Sequence, residues 1–443
     1  MTELRLNLTK YQNSVEECFP YVVSGQVTEV RGLLIKGNLS HASLGSIVEI
    51  EIPHHSEKME VEIIGFKGHE VIMMALKEVK GLSAGCRMKV VRQSATVSVS
   101  DEMLGSVFDG LGNYIDGSPP QFEERTEVPL YKNGKNPLDR RPIREALDTG
   151  IRAINSGLTV GLGQRVAIMA GSGVGKSVLL GMMARYSSSD VNVIAMIGER
   201  GREVREFIEN DLGPEGIKKS VIVTVTSDQS PLLRMRGAFV ATAIAEYFSK
   251  KGKNVLLMMD SVTRFAMAQR EIGLSLGEPP STRGYTPSVF ATLPKLLERA
   301  GSFENEGSIT GLYTTLVEAD DMNDPIGDSV RSIVDGHIVL SRQLAQRGHF
   351  PSIDLLQSAS RVMKHCIGQD HQRLATKLRE ALAIYKDAED LINIGAYKQG
   401  NNPKIDKTIK IIDQLNDFLC QRVEDQATMN QTLRSLQQIL IGF

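Results

Sequence analysis

The chain has no tryptophan, and phenylalanine and tyrosine together make up only 5% of it. That scarcity argues against gripping single-stranded nucleic acid, a task that relies on aromatic platforms for base stacking. Its four cysteines, Cys18, Cys86, Cys366 and Cys420, stand far apart and form no CxxC pair. This excludes a disulfide scaffold and a zinc cluster, and predicts free thiols in a reducing compartment. No apolar run approaches the roughly 20 residues that span a bilayer, and the first residues carry charges where a secretory signal needs an apolar stretch. Basic and acidic side chains nearly cancel, leaving a formal charge of −2, so no global field recruits nucleic acid or an anionic membrane. The expectation is a soluble cytoplasmic protein. With 443 residues, 41% of them hydrophobic, it is long enough for about two to four domains.

Against that plain background one segment stands out, Ala170-Gly171-Ser172-Gly173-Val174-Gly175-Lys176-Ser177. Small residues let the backbone wrap so that successive N–H groups, and the positive end of the helix that follows, face phosphate oxygens. Val178 continues into that helix. Lys176 then reaches the β- and γ-phosphates and Ser177 offers a hydroxyl to Mg²⁺, while the apolar run Arg165 to Met169 reads as the strand that feeds the loop. The usual pattern begins with glycine, and here that position is Ala170. Alanine is small enough for the turn.

The rest of the chain divides by pattern. Leu4, Leu8, Tyr11, Val15 and Phe19 fall at helical spacing within residues 1–20 and predict an amphipathic segment whose partner is the next domain, another protein or, least favoured by its acidic residues, a membrane surface. Residues 21–97 turn to short β-like runs, Tyr21 to Val23, Ile47 to Glu51, Met59 to Ile64 and Val71 to Leu76, which a small barrel closes most economically. A structural or collar role suits this aromatic-poor barrel better than nucleic-acid binding. After a Gly- and Pro-rich connection near Gly105 to Pro137, strands alternate with helices as in a parallel sheet, giving a core over 98–365. Strands are expected at Arg165 to Ala170, Asn192 to Ile197, Val221 to Thr226, Asn254 to Asp260, Ser308 to Val317 and Gly336 to Ser341. Helices are expected after the loop and at Arg202 to Asp211, Arg236 to Lys250 and Ser288 to Ala300. Within 366–443 strand signals vanish and three helical stripes appear, carried by Leu374, Leu378 and Leu382, by Ile409, Ile412 and Leu415, and by Leu433, Leu436 and Leu440. The predicted class is α/β: a RecA-like P-loop NTPase core with an N-terminal small β-barrel and a C-terminal α-helical domain.

Several residues are candidates for the chemistry. Asp260 ends the run Val255 to Met259 and would hold a Mg²⁺-bound water; a bland strand end is the alternative, which a P-loop upstream disfavours. Glu199, leaving a strand in Ile197-Gly198-Glu199-Arg200-Gly201-Arg202-Glu203, is suited to orient the attacking water, with Glu203 as the rival carboxylate. Arg361 follows the last expected core strand and is either an arginine finger reaching a neighbouring subunit or a surface residue. Phe350 either stacks on adenine or packs in the core.

Taken together these pieces resemble the catalytic subunits of the F-type and V-type rotary ATPases over nearly the whole chain, and among their relatives the type III secretion and flagellar protein-export ATPases. The segments Asp148 to Asn155, Ser177 to Tyr186, Ser230 to Met235 and Gly277-Glu278-Pro279-Pro280 are similar to that branch, and Pro351 to Ser360 fits the signature shared by α- and β-type subunits. The resemblance implies that Glu199 is the catalytic glutamate, flanked by Arg200, that Arg264 is an active-site arginine and that Phe350 lies against adenine. It also implies that Arg361 acts across a subunit interface, so that one chain suffices for a homohexamer binding ATP and Mg²⁺.

The same resemblance implies partners: a stator-like regulator at residues 1–20, a coiled-coil central-stalk protein at the tip Gly395 to Pro403, and chaperone–substrate complexes at an export gate on the inner membrane. The tip lacks the acidic run of F-type β subunits. Gly395 to Lys398 is nearer the flagellar than the virulence-injectisome branch. Two readings from other classes compete. An RNA translocase of the transcription-termination kind would need a basic, aromatic-rich barrel, and a non-hydrolysing structural subunit would lack Glu199.

Overall fold

Continuous apolar runs in the middle of the chain become strands buried on both faces, the usual reading of such runs in a parallel sheet. Every residue of Val191–Ile197, Ser220–Val225 and Val255–Asp260 is buried. The computed structural model describes residues 24–53, 58–77, 81–117, 124–132, 134–317, 324–441 and 443. The amphipathic segment 1–20 and the expected strand Tyr21 to Val23 lie outside the described residues. Two compact units are present, Met1–Ala95 and Thr96–Phe443.

In the first unit six antiparallel strands, Ser24–Arg31, Leu34–Asn38, Ile47–Glu51, Lys58–Lys67, Glu70–Ala75 and Arg87–Arg92, close a barrel. Alternation fills it: Val27, Ile35, Val48, Ile50, Val61, Ile63 and Met73 form its core. The sequence marked three of these strands; the others are polar on their outward face.

The second unit is built on a mixed sheet whose spatial order is Ile353–Ser360, Gly336–Leu340, Arg165–Ala170, Ser308–Leu316, Val255–Asp260, Val191–Ile197, Ser220–Val225 and Ser106–Phe108, with Gly301–Ser302 paired to Ser308–Leu316. All six expected strands are present within a residue or two. The stretch near Gly105 to Pro137 is more than a connection, since Ser106–Phe108 forms one sheet edge and Thr126–Pro129 pairs with Thr96–Val99. At the other edge Ile353–Ser360 runs antiparallel to Gly336–Leu340. It escaped detection because half of it faces water.

Helices cover the sheet. Lys176–Tyr186 follows the P-loop strand, and Pro231–Lys250 starts five residues before Arg236, where Ser230 accepts a cap bond from Leu233 N and Pro231 takes the first turn. Between them the expected Arg202 to Asp211 helix breaks into Gly201–Glu206 and a wider turn, Phe207–Leu212. Val262–Ser275, not foreseen as a helix, is capped by the Ser261 hydroxyl.

Three C-terminal helices, Gln369–Asn393, Pro403–Leu419 and Met429–Ile439, carry the predicted stripes. Leu378, Leu415 and Leu436 are fully buried and share one core with Ile154, Leu179 and Leu355. Leu378→Ala should therefore cost about 2–4 kcal/mol. A melting temperature lower by several degrees checks this.

Candidate active site

All the candidate groups but Arg200 and Arg361 converge where the parallel strands end, the edge at which open α/β sheets bind ligands. Ala170 is the last residue of its strand and pairs with both Leu316 and Leu340. It is a buried strand residue, so the position needs no glycine. The glycines that the loop does require are Gly173 and Gly175, at φ 76° and 85°, where any other residue is strained. Gly175 also carries a packing demand, since a Cβ there would lie 3.3 Å from the Phe350 ring.

Lys176 opens the following helix and donates to Asp260 Oδ1 at 2.5 Å, while Glu199 Oε1 lies 4.0 Å from the same ammonium. Thr314, on the neighbouring strand, donates from Oγ1 to Asp260 Oδ1 at 2.7 Å and so fixes that carboxylate. Two buried carboxylates thus share one ammonium. Burial first, and then the nearby Asp260 charge, push the Glu199 carboxyl up to about 7, against the opposing pull of Lys176 and Arg264. Glu199 Oε1 is buried and accepts no hydrogen bond.

That orphaned acceptor and the pair of buried carboxylates fit a divalent cation brought in with phosphate. Asp260 and Ser177, the residue that follows Lys176, are the side chains that would hold it, the sparse protein ligation typical of Mg²⁺ at nucleotide sites.

Glu199 owes its position to Gly198, at φ 74°, which turns the chain sharply off its strand. A Cβ at Gly198 would meet Arg264 Cβ at 2.9 Å, so this glycine also lets Arg264 pack in beside Glu199. Arg200 is not brought in. Its side chain is 79% exposed and pairs with Glu203 at 3.4 Å, so it faces solvent just before helix Gly201–Glu206.

A cavity of about 940 Å³ opens beside the loop, lined by Gly173, Gly175, Val178, Met182, Phe350 and, from the C-terminal region, Gln421 and Arg422. Phe350 is 43% exposed, which removes the core-packing alternative. Gln421 was not visible as a site residue in the sequence. It joins the cavity wall by donating to Gly150 O at 2.8 Å, accepting from Arg152 N at 2.8 Å and donating from its backbone to Phe350 O at 2.9 Å. No local pattern links residues so far apart in the chain. Phe350→Ala should raise the KM for nucleotide about tenfold with kcat within about twofold, the signature of lost ground-state binding. Steady-state kinetics decide it.

Arg361 lies at the opposite end of the sheet. Its N–H donates to Asp335 O at 2.9 Å, and Asp335 N donates to Arg165 O at 2.9 Å. Arg165 begins the strand that ends in the P-loop, and six residues at roughly 3.3 Å each separate the two ends by about 17 Å. The exposed Arg361 side chain therefore cannot serve its own P-loop.

Comparison with known proteins agrees with this layout. Residues 150–360 match the ATP synthase alpha/beta family nucleotide-binding domain, and 367–438 match the T3SS EscN ATPase C-terminal domain. The chain is 49% identical to the flagellum-specific ATP synthase of Treponema pallidum, covering 97% of this chain and 96% of that one. It is 46% identical to the type 3 secretion system ATPase of Xanthomonas euvesicatoria, covering 93% of each. Among solved structures, the assembled ATPase EscN of enteropathogenic E. coli superposes with a TM-score of 0.88 at 44% identity over 94% of this chain and 99% of that one. EscN in complex with its central stalk EscO matches at a TM-score of 0.86, also at 44% identity, with 94% of this chain and 99% of that one covered.

Proposed function

Because the chain belongs to the ATP synthase α/β family, on the branch of flagellum-specific and type III secretion ATPases, we propose that it hydrolyses Mg-ATP to energise protein export, most closely in the flagellar manner. One observation carries the hydrolytic reading: Glu199 and Asp260 flank the single ammonium of Lys176 at the mouth of the P-loop. A non-hydrolysing structural subunit has no use for the second acid.

The steps follow from the residues. Backbone N–H groups from Gly171 through Ser177 cradle the phosphates, and Lys176 exchanges its contact with Asp260 for the β- and γ-phosphate oxygens. The base enters the cavity against Phe350. Asp260 and Ser177 would hold Mg²⁺, which when bound neutralises charge on the phosphate oxygens. Glu199 then accepts a hydrogen bond from the attacking water and aligns it with the γ-phosphorus, while Lys176 and, more weakly, Arg264 favour its charged form against burial. Arg361 of a neighbouring copy stabilises the charge that develops on the transferring group, so hydrolysis needs a ring, in our reading a homohexamer.

Partners are proposed by the same route. At the C-terminal tip Leu391 and Ile394 are 50% and 75% exposed, and the loop that presents them is fastened by Tyr397 Oη donating to Asp406 Oδ1 at 2.9 Å. This apolar tip suits a coiled-coil stalk, the kind of partner that the EscN–EscO complex contains. Residues 1–20 suit the stator-like regulator, and the family kinship suggests chaperone–substrate complexes and the export gate as further partners. No helix among the described residues is long and apolar enough to cross a membrane, so attachment to the inner membrane would run through those partners. The injectisome remains the second reading because relatives of both kinds match this chain almost equally.

The test pairs biochemistry with export. Purified protein should release phosphate from ATP only when Mg²⁺ is present, with a rate indifferent to poly-pyrimidine RNA. A strain lacking this gene should lose flagellar assembly and regain it with the wild-type gene. RNA-stimulated hydrolysis with intact flagella would overturn the export reading, and lost needle secretion with intact flagella would move it to the injectisome.

A further inference from the structure

The backbone of Arg361 is held by a hydrogen-bonded cluster at the start of the P-loop strand. Asp335 accepts from Arg165 at three points: Oδ2 from the backbone N and from Nε, each at 3.1 Å, and Oδ1 from Nη2 at 3.1 Å. Its carbonyl oxygen accepts from Arg361 N at 2.9 Å and from Gln164 Nε2 at 3.2 Å. Gln164 is fully buried and its amide also reaches Ser360 Oγ at 3.2 Å, while Ser360 Oγ donates to Thr159 O at 3.0 Å. Glu298 completes the charge balance on Arg165 at 2.6 Å.

Two successive residues on each side are thus tied together, Gln164 and Arg165 at the start of the P-loop strand, Ser360 and Arg361 at the end of the edge strand, with Asp335 between them. A bidentate, partly buried carboxylate–guanidinium pair is strong and directional, and this one controls the backbone that carries Arg361 rather than any reacting atom.

We propose that Asp335 and Gln164 are the positioning residues of Arg361, fixing it to the N-terminal end of the strand whose C-terminal end holds the same chain's P-loop. Each such strand then serves two active sites, its own at one end and the neighbour's at the other. A finger works only if held within a fraction of an ångström of the transferring group.

The inference rests on Arg361 acting in trans, and mixed assemblies separate the two claims. Asp335→Ala should lower kcat of the assembled enzyme about 10- to 100-fold, with the nucleotide Kd of the dilute chain within about twofold of wild type, since the P-loop end is untouched. Gln164→Ala, which loosens the same finger through a different bond, should do likewise to a smaller extent and guards against a folding defect in the first variant. Mixed with Lys176→Ala, which has sound fingers and a dead P-loop, either variant should regain activity. Mixed with Arg361→Ala neither should, because both partners then lack a working finger.

Recovery with Arg361→Ala, failure to recover with Lys176→Ala, or wild-type kcat in both variants would overturn the positioning role. If Arg361→Ala itself fails to recover with Lys176→Ala, it is the trans reading that falls.

Discussion

Glu199→Gln is expected to bind ATP within a few-fold of wild type and to lose at least about 10³-fold in turnover, within the range of a removed acid–base group. The amide keeps the shape of the side chain and loses the lone-pair strength that aligns the water. A variant retaining more than a tenth of wild-type hydrolysis would remove Glu199 from this role. The same substitution has a second, opposite effect on stability. Because the Glu199 carboxyl is raised from an ordinary 4.5 to about 7 in the folded protein, the unfolded chain ionises it first as pH rises. The folded state loses stability from about pH 4.5 upward and carries the full penalty, up to about 3 kcal/mol, above pH 7. Glutamine has no charge to bury. Nucleotide-free Glu199→Gln should therefore melt about 2–4 °C higher than wild type at pH 8 and less than about 1 °C higher at pH 5. Equal melting temperatures at both values would show that Glu199 is not held against its ionisation. An active site that stores unfavourable charge in this way trades stability for readiness to bind a cation.

Arg361→Ala should cost about 10³-fold in kcat, as expected for a lost arginine finger, while leaving nucleotide affinity of the dilute chain and its ability to assemble unchanged. The position of Arg361 makes this more than a generic expectation. It is anchored through Asp335 to the start of the P-loop strand, so its loss reaches no group that touches the chain's own nucleotide. Lys176→Ala, in contrast, should abolish both binding and turnover, since its ammonium is the one cation within 4.0 Å of Glu199 and Asp260 among the described residues.

Much of this was legible before any coordinates. The P-loop, Asp260 and Glu199 each sit at the end of an apolar run, and apolar runs in a doubly covered sheet become strands with their ends at one edge. Ala170, the departure from pattern, is explained by its place inside the strand ladder. What escaped was either short, shared or distant. Ser106–Phe108 has three residues, too few for a period to show. Ile353–Ser360 mixes buried Ile353 and Leu355 with outward Gln357, and its register slips between His337 and Val339, so alternation is broken. Helix Val262–Ser275 is buried over much of its surface, which erases the one-sided stripe that marks a helix. Gln421 and Thr314 reach the site across hundreds or tens of residues, and no spacing rule encodes that. Arg200 follows Glu199 in sequence, yet its side chain faces solvent rather than its own chain's P-loop, a placement that spacing alone does not reveal.

The central claim is that a complete active site takes its P-loop from one copy and its arginine from the next, and mixed assemblies of Lys176→Ala and Arg361→Ala address it directly. In a random equimolar mixture about a quarter of the interfaces pair an intact P-loop with an intact arginine. Hydrolysis should rise well above that of either variant alone, toward about a quarter of the wild-type rate if interfaces act independently. Mixed assemblies confirmed by mass, yet no more active than the two inactive parents, would contradict it.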